Sequence, residues 1–222
     1  MSIDIETEGD VRIVRWDDGE NRVNLDSMTE WHAALDQLEA IEGSLAVVVI
    51  GTGKFFSNGL DLDRFAASPD EAGPTVELLN LLFGRMLLFP AYTVGALNGH
   101  AFAAGAMLSC CFDARVMRSD RGYWCLPEVD LGLPLSEAMT AVVTARLPME
   151  AAQDAMLTGR RYGAEDAQAL GIVTDTSDEE RLLGVAIDLA APMAQKHRGV
   201  IGAHKQLLFG DAARVCGVDR IG

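Results

Sequence analysis

The sequence predicts an α/β fold, and three observations carry that prediction. Continuous apolar runs, Leu45-Ala-Val-Val-Val-Ile50 and Tyr92-Thr-Val-Gly-Ala-Leu97, read as strands buried on both faces. A stretch with apolar residues at helical spacing separates the strand at 11–16 from the one at 45–50, which is the strand–helix–strand pattern. Glycine-rich turns follow the apolar strands, at the carboxyl ends where ligands of such folds usually bind.

Taken in order, Val11-Arg-Ile-Val-Arg-Trp16 alternates and reads as the first strand. Residues 24–41 form a helix that starts at Asp26-Ser27 and carries Met28, Trp31, Ala34, Leu35 and Leu38 on one face. The strand at 45–50 runs into a loop over 51–62. Residues 66–74, small, polar and punctuated by proline, are expected to be a mobile excursion. A helix over 75–89 stops before Pro90, the strand at 92–97 follows, and short strands are expected at 114–118 and 122–125. Helices then dominate, over 136–145, 149–157, 164–170, 179–196 and 199–209, with a short strand at 172–173 and weak helical patterning over 211–220. No repeat or linker divides the chain. By convention residues 1–150 are the core and 151–222 a helical region for packing and assembly, within one structural domain.

The formal net charge of −15 argues against nucleic acid or an anionic membrane surface as the main partner, because both need a basic face. No run of about 18 apolar residues occurs, and residues 1–10 show no basic-then-apolar leader, so a cytoplasmic location is expected. Cys110, Cys111, Cys125 and Cys216 lack metal-ligand spacing and read as reduced, buried residues. His32, His100, His197 and His204 suggest no metal site.

The chemistry points to residues 95–113, where a strand ends, Asn98-Gly99 turns the backbone, and a helix of very small residues begins. Unpaired N–H groups in such a first turn attract developing negative charge. A second donor is available in Ser57-Asn-Gly-Leu-Asp61, where Gly59 permits a bend that turns the Leu60 N–H into a cavity. Two such donors would stabilise a carbonyl oxygen as it gains charge. Each segment also has an ordinary reading, as a helix kept small for packing and as a strand-to-helix loop. Ser136 lacks a nucleophile elbow, and Cys110 and Cys111 lie in an apolar helix that disfavours a thiolate. Glu128, flanked by Pro127 and Val129, is either a surface carboxylate or a base whose pKa desolvation raises.

These residues resemble the crotonase superfamily, the enoyl-CoA hydratase/isomerase group, over nearly the whole chain. Phe56-Ser-Asn-Gly-Leu-Asp-Leu62 resembles its first oxyanion segment and Ala96-Leu-Asn-Gly-His-Ala-Phe-Ala-Ala-Gly105 its second. Phe112-Asp-Ala-Arg115 and Leu126-Pro-Glu-Val-Asp-Leu-Gly132 resemble the segments that follow, and Leu157-Thr-Gly-Arg-Arg161 with 164–173 resembles a later one. The resemblance implies a crotonase-like (ClpP/crotonase) spiral of ββα units with a C-terminal helical region for trimerisation and cover. It implies an acyl-CoA thioester as ligand, no separate cofactor, and a homotrimer or dimer of trimers. By the same resemblance the donors fall on Leu60 and Ala104, with Asn58, Gly59, Asp61 and Gly99 around them.

Hydratases of the family use two glutamates, and the position of the first is Met107 here, leaving Glu128 alone. One carboxylate suits Δ3,Δ2-enoyl-CoA isomerisation, and Glu128-Val-Asp-Leu-Gly-Leu133 is most similar to the plant-type, peroxisomal isomerase branch. Two alternatives are hydration, with Glu128 working alone or with Asp61 or Glu137 supplying the missing acid, and a non-catalytic acyl-CoA-binding protein. Arg22 and Lys54, and more weakly Lys205, are the candidates to hold the CoA phosphates. Phe65, Leu82, Met86 and Met107 are candidates to line the acyl tunnel.

Overall fold

The computed structural model describes residues 2–219. Its main sheet contains β1 (Ile3–Glu8), β2 (Val11–Trp16), β4 (Ala46–Gly51), β7 (Tyr92–Leu97), β9 (Ala114–Arg118) and β11 (Asp175–Ser177), side by side in that order. All neighbours run parallel except β1 and β2. One face packs on α1 (Leu25–Glu39), α3 (Ala72–Leu88) and α4 (Ala104–Cys110). The other is covered by α9 (Glu179–Ala194), whose Leu182, Ala186, Ala190 and Ala194 meet Val11, Val48, Val94 and Val116. Burial on both faces explains the unbroken apolar runs.

A second, smaller sheet positions the site. It consists of β5 (Phe55–Ser57), β8 (His100–Phe102) and β10 (Trp124–Cys125), all parallel, with β8 in the middle. A two-stranded ribbon joins β3 (Arg22–Val23) to β6 (Gly59–Leu60). The helices α2 (Leu62–Ala67), α5 (Glu128–Leu131), α6 (Glu137–Arg146), α7 (Met149–Thr158), α8 (Ala164–Ala169) and α10 (Arg198–Val215) complete the fold.

Four expectations need correction. Residues 3–8, in which no element was expected, form the edge strand β1; Ile3 and Ile5 face the core while acidic residues alternate outward and blunt the edge. The strand expected at 172–173 begins at Asp175, because the N–H groups of Ile172 and Val173 both return to the Ala167 carbonyl to close α8. Residues 66–74 are regular: they end α2, make a 3-10 turn over Pro69–Glu71 and start α3. Arg64 holds this segment through Glu71 at 2.6 Å and Asp26 at 2.7 Å. The last helix extends to Val215 rather than 209, and residue 220 of the weakly patterned 211–220 segment lies outside the described residues.

No described helix is long and apolar enough to cross a membrane. The four cysteines are free and buried.

Candidate active site

The three strands of the small sheet run the same way, so all three release the chain at one edge. Beyond Ser57 the chain reaches Leu60, beyond Phe102 it reaches Ala104, and beyond Cys125 it reaches Glu128. These three residues line one cavity of about 510 Å³ with Asn58, Phe102, Ala103, Met107, Pro127 and others.

The two expected donor segments are in contact. Gly59 has φ +80°, and a Cβ built there would stand 2.8 Å from Ala103 Cβ and 3.4 Å from Ala104 N. Only glycine fits this approach. Asn58 and Asp61 give their N–H groups to the carbonyls of Glu20 and Val23, and Gly59 gives its own to Ser57 Oγ. Ala104 is the first residue of α4, where an N–H has no partner within the helix. The preceding Ala103 has φ 50° and ψ −122°, a conformation suited to glycine, and is held there by its N–H bond to Cys125 O at 3.0 Å and by Met107 N donating to its carbonyl. The strain of this turn thus falls on residue 103, and residue 104 keeps a negative φ and its N–H.

Glu128 opens α5, a single turn ended by Gly132 in the left-handed conformation; the Gly132 and Leu133 N–H groups both bind the Glu128 carbonyl. The side chain is half-buried, and Oε2 is buried with no hydrogen-bond partner. Burial raises its pKa above the ordinary carboxylate value, and no cation offsets the rise. A carboxylate so placed is a stronger base than one in water. Met107, 1% exposed, lines the same cavity with a thioether that neither gives nor takes a proton at this chemistry. The nearby Cys125 thiol is pushed up to about 11, chiefly by burial, and donates to the Gly159 carbonyl, so it is no nucleophile.

Several expected site residues lie elsewhere. Lys205 is 4% exposed and bound to Asp113 Oδ2 at 2.6 Å and Ala91 O at 2.9 Å, so it is a buried tie between α10 and the main sheet, closed to phosphate. Met86 and Leu82 are core residues; Met86 packs with Trp31, Leu35 and Phe89 on the main sheet. Phe65, on α2, is half-buried outside the cavity wall. Asp61 caps α2 through Arg64 N at 3.1 Å and lies 3.5 Å from Arg22, and Glu137 is exposed at the start of α6, so neither brings a second acid to the cavity. Arg22 is held by Glu20 at 2.8 Å and Asp63 at 3.0 Å. Gly99 is needed for packing, since a Cβ there would overlap the Lys54 carbonyl. Asn58 does line the cavity, and its amide donates to Glu20 Oε2 at 2.8 Å. Lys54 is exposed beside the Phe55 ring.

Sequence reasoning missed Arg161, Phe102, Leu131, Leu133 and Met139 as lining residues. Arg161 reaches the site because its neighbour Tyr162 exchanges two backbone hydrogen bonds with Trp124, each 2.9 Å. That pairing joins segments far apart in the chain, and only the Leu157-Thr-Gly-Arg-Arg161 stretch hinted at it.

The family model described as Enoyl-CoA hydratase/isomerase matches residues 6–214. The peroxisomal enoyl-CoA delta isomerase 2 of Arabidopsis thaliana is 33% identical over 190 residues, 81% of this chain and 79% of that protein. A putative enoyl-CoA hydratase of Thermus thermophilus is 36% identical over 183 residues, 79% of this chain and 70% of that protein. Among solved structures, an enoyl-CoA isomerase of Mycobacterium tuberculosis superposes with a TM-score of 0.88 at 25% identity, covering 97% of this chain and 94% of its own. A second structure of that same Mycobacterium tuberculosis protein, described there as a probable enoyl-CoA hydratase, superposes with a TM-score of 0.91 at 24% identity, over 98% of this chain and 92% of its own, a likeness of fold.

Proposed function

The chain belongs to the enoyl-CoA hydratase/isomerase family, and from that membership we propose that it isomerises 3-enoyl-CoA thioesters to 2-enoyl-CoA. The observation that carries this reading is a cavity with one lining carboxylate, Glu128, whose Oε2 is buried without a hydrogen-bond partner, and a thioether at Met107. The thioester carbonyl accepts hydrogen bonds from the Leu60 and Ala104 N–H groups. Glu128 takes a proton from C2, the electron pair spreads into a dienolate whose oxygen the two donors stabilise, and the same carboxyl returns the proton at C4. Pocket walls of Leu60, Phe102, Leu131, Leu133 and Met139 suit an apolar acyl group. The reaction is balanced within one substrate and needs no group beyond the chain.

Hydration of 2-enoyl-CoA is supported less well. It calls for one group to activate water and another to assist protonation, and Asp61 and Glu137 are both outside the cavity. The hydratase names of relatives such as the Thermus thermophilus protein keep it in view. Product analysis on matched 3-enoyl-CoA and 2-enoyl-CoA esters separates the two. Rapid appearance of the conjugated ester from the first supports isomerisation, and rapid 3-hydroxyacyl-CoA formation from the second overturns it.

A further inference from the structure

Behind the cavity, two polar side chains are shut off from solvent. Asn21 and Ser57 are both 0% exposed, and neither lines the cavity. Buried polar groups cost free energy unless their hydrogen bonds are made. Asn21 ends the turn after β2 with φ 51°, a conformation that asparagine tolerates better than most residues. Its Oδ1 accepts from Asp18 N at 2.8 Å, and its Nδ2 faces the carbonyls of Trp16 at 2.9 Å, Phe56 at 3.1 Å and Phe55 at 3.3 Å. The amide thus fastens the turn to β5. It also fixes the place of the Asn21 carbonyl, which accepts the Ser57 hydroxyl proton at 2.7 Å. With its one proton given, Ser57 Oγ can only accept from Gly59 N, 3.3 Å away.

That last bond bears on where the next peptide points. Gly59 has no side chain to restrict its backbone, so the peptide it shares with Leu60 is held only by what its neighbours bind. The Asp61 N–H goes to the Val23 carbonyl on the β3 side, and the Gly59 N–H goes to Ser57. Backbone groups alternate along a strand, so the Leu60 N–H on β6 turns the other way from that of Asp61. Ser57 meets the second arm as well. A Cβ built on Gly105, the residue after Ala104, would stand 2.6 Å from Ser57 Cβ and 2.8 Å from its Oγ. One small hydroxyl side chain therefore lies against both donor segments, and nothing larger fits between them.

We infer that Ser57, anchored by the Asn21 carbonyl, is a positioning residue that sets the direction of the Leu60 N–H and its spacing from the Ala104 N–H. The inference rests on the two-donor reading above and adds what holds the donors in place. Removing such a donor outright lowers turnover by about 10²- to 10³-fold, and a donor left in place but free to swing should lower it less, by about tenfold.

The test compares wild type with Ser57→Ala and with Ser57→Cys, which keeps a weak donor and acceptor in a similar shape. Two readouts are used: turnover of a 3-enoyl-CoA ester, and the infrared difference spectrum of a bound saturated acyl-CoA labelled with carbon-13 at its thioester carbonyl, which has no double bond to move. A carbonyl that accepts two hydrogen bonds is polarised and stretches at a lower frequency. Wild type should lower that frequency. Ser57→Ala should return it most of the way to the solution value, with kcat down about tenfold and KM nearly unchanged, and Ser57→Cys should fall between the two. Folded Ser57→Ala with wild-type kcat and carbonyl frequency, and only a lower melting temperature, overturns the inference by making the hydroxyl purely structural. A loss carried wholly by KM also overturns it. If the alanine variant does not fold, the cysteine variant carries the same two readings, and wild-type values in both overturn the inference. Wild type inert toward the 3-enoyl ester, but with a lowered carbonyl frequency that Ser57→Ala loses, refutes the isomerase reading while leaving the positioning role intact.

Discussion

Met107 and Glu128 share the wall of one cavity, so the only carboxylate among the lining residues faces a pocket whose α4 side is a thioether. Replacing Met107 by Glu places a second carboxyl in that space. The variant should gain hydration of 2-enoyl-CoA at the expense of isomerisation, and like-charge repulsion should push one of the two carboxyls further up. Rates with the two esters, followed from pH 4 to pH 9, check both effects.

Glu128→Gln keeps the shape of the residue and removes the base. We expect kcat to fall by about 10²- to 10⁴-fold with KM nearly unchanged, read as the loss of conjugated product from 3-enoyl-CoA. A fall in substrate binding of similar size would instead assign Glu128 to recognition.

The same substitution should change stability with pH. Burial raises the Glu128 pKa above its ordinary value of 4.5, so in the window between the two values the folded chain holds a proton that the unfolded chain has released. Stability therefore declines as pH rises from the unfolded value toward the folded one, and the loss persists above. Glu128→Gln should melt higher than wild type at pH 7, and the difference should vanish below about pH 4. Wild-type turnover should fall as acid protonates the base, with its limb above the ordinary carboxylate range.

Ala103→Gly should relieve the positive φ and stabilise the chain by about 1 kcal/mol, a rise of roughly 2–4 °C in Tm with activity retained. Gly59→Ala should do the reverse. Its Cβ would stand 2.8 Å from Ala103 Cβ and 3.0 Å from Phe102 O at φ +80°, and activity should be lost as the donors separate. Thermal melts and initial rates test the pair.

Lys205→Met leaves Asp113 buried without its cation and should cost about 3–5 kcal/mol in urea unfolding. The KM for CoA esters of the folded fraction should stay unchanged, which separates this structural tie from a phosphate contact.

What could be read from the sequence follows physical range. The doubly buried strands announce themselves by continuous apolar runs, and Gly59, Ala104 and Glu128 each lie within a few residues of a strand end, where local motif and chemistry coincide. The Asp113 partner of Lys205, the acids around Arg22 and the pairing that brings Arg161 to the pocket are encounters between distant segments, and no local pattern encodes them. Met86 illustrates the same limit, because an apolar residue on an amphipathic helix reads identically whether it meets a ligand or a tryptophan. The edge strand β1 escaped notice because its acidic residues outweigh two isoleucines.

The common edge of β5, β8 and β10 carries a consequence for how the chain can vary. A residue inserted upstream of these strands enlarges a turn at the far end and leaves the working groups in register. One inserted just after Ser57, Phe102 or Cys125 moves a single group about 3.3 Å relative to the other two, beyond the reach of a hydrogen bond. Tolerance to length change should therefore be sharply one-sided across this small sheet.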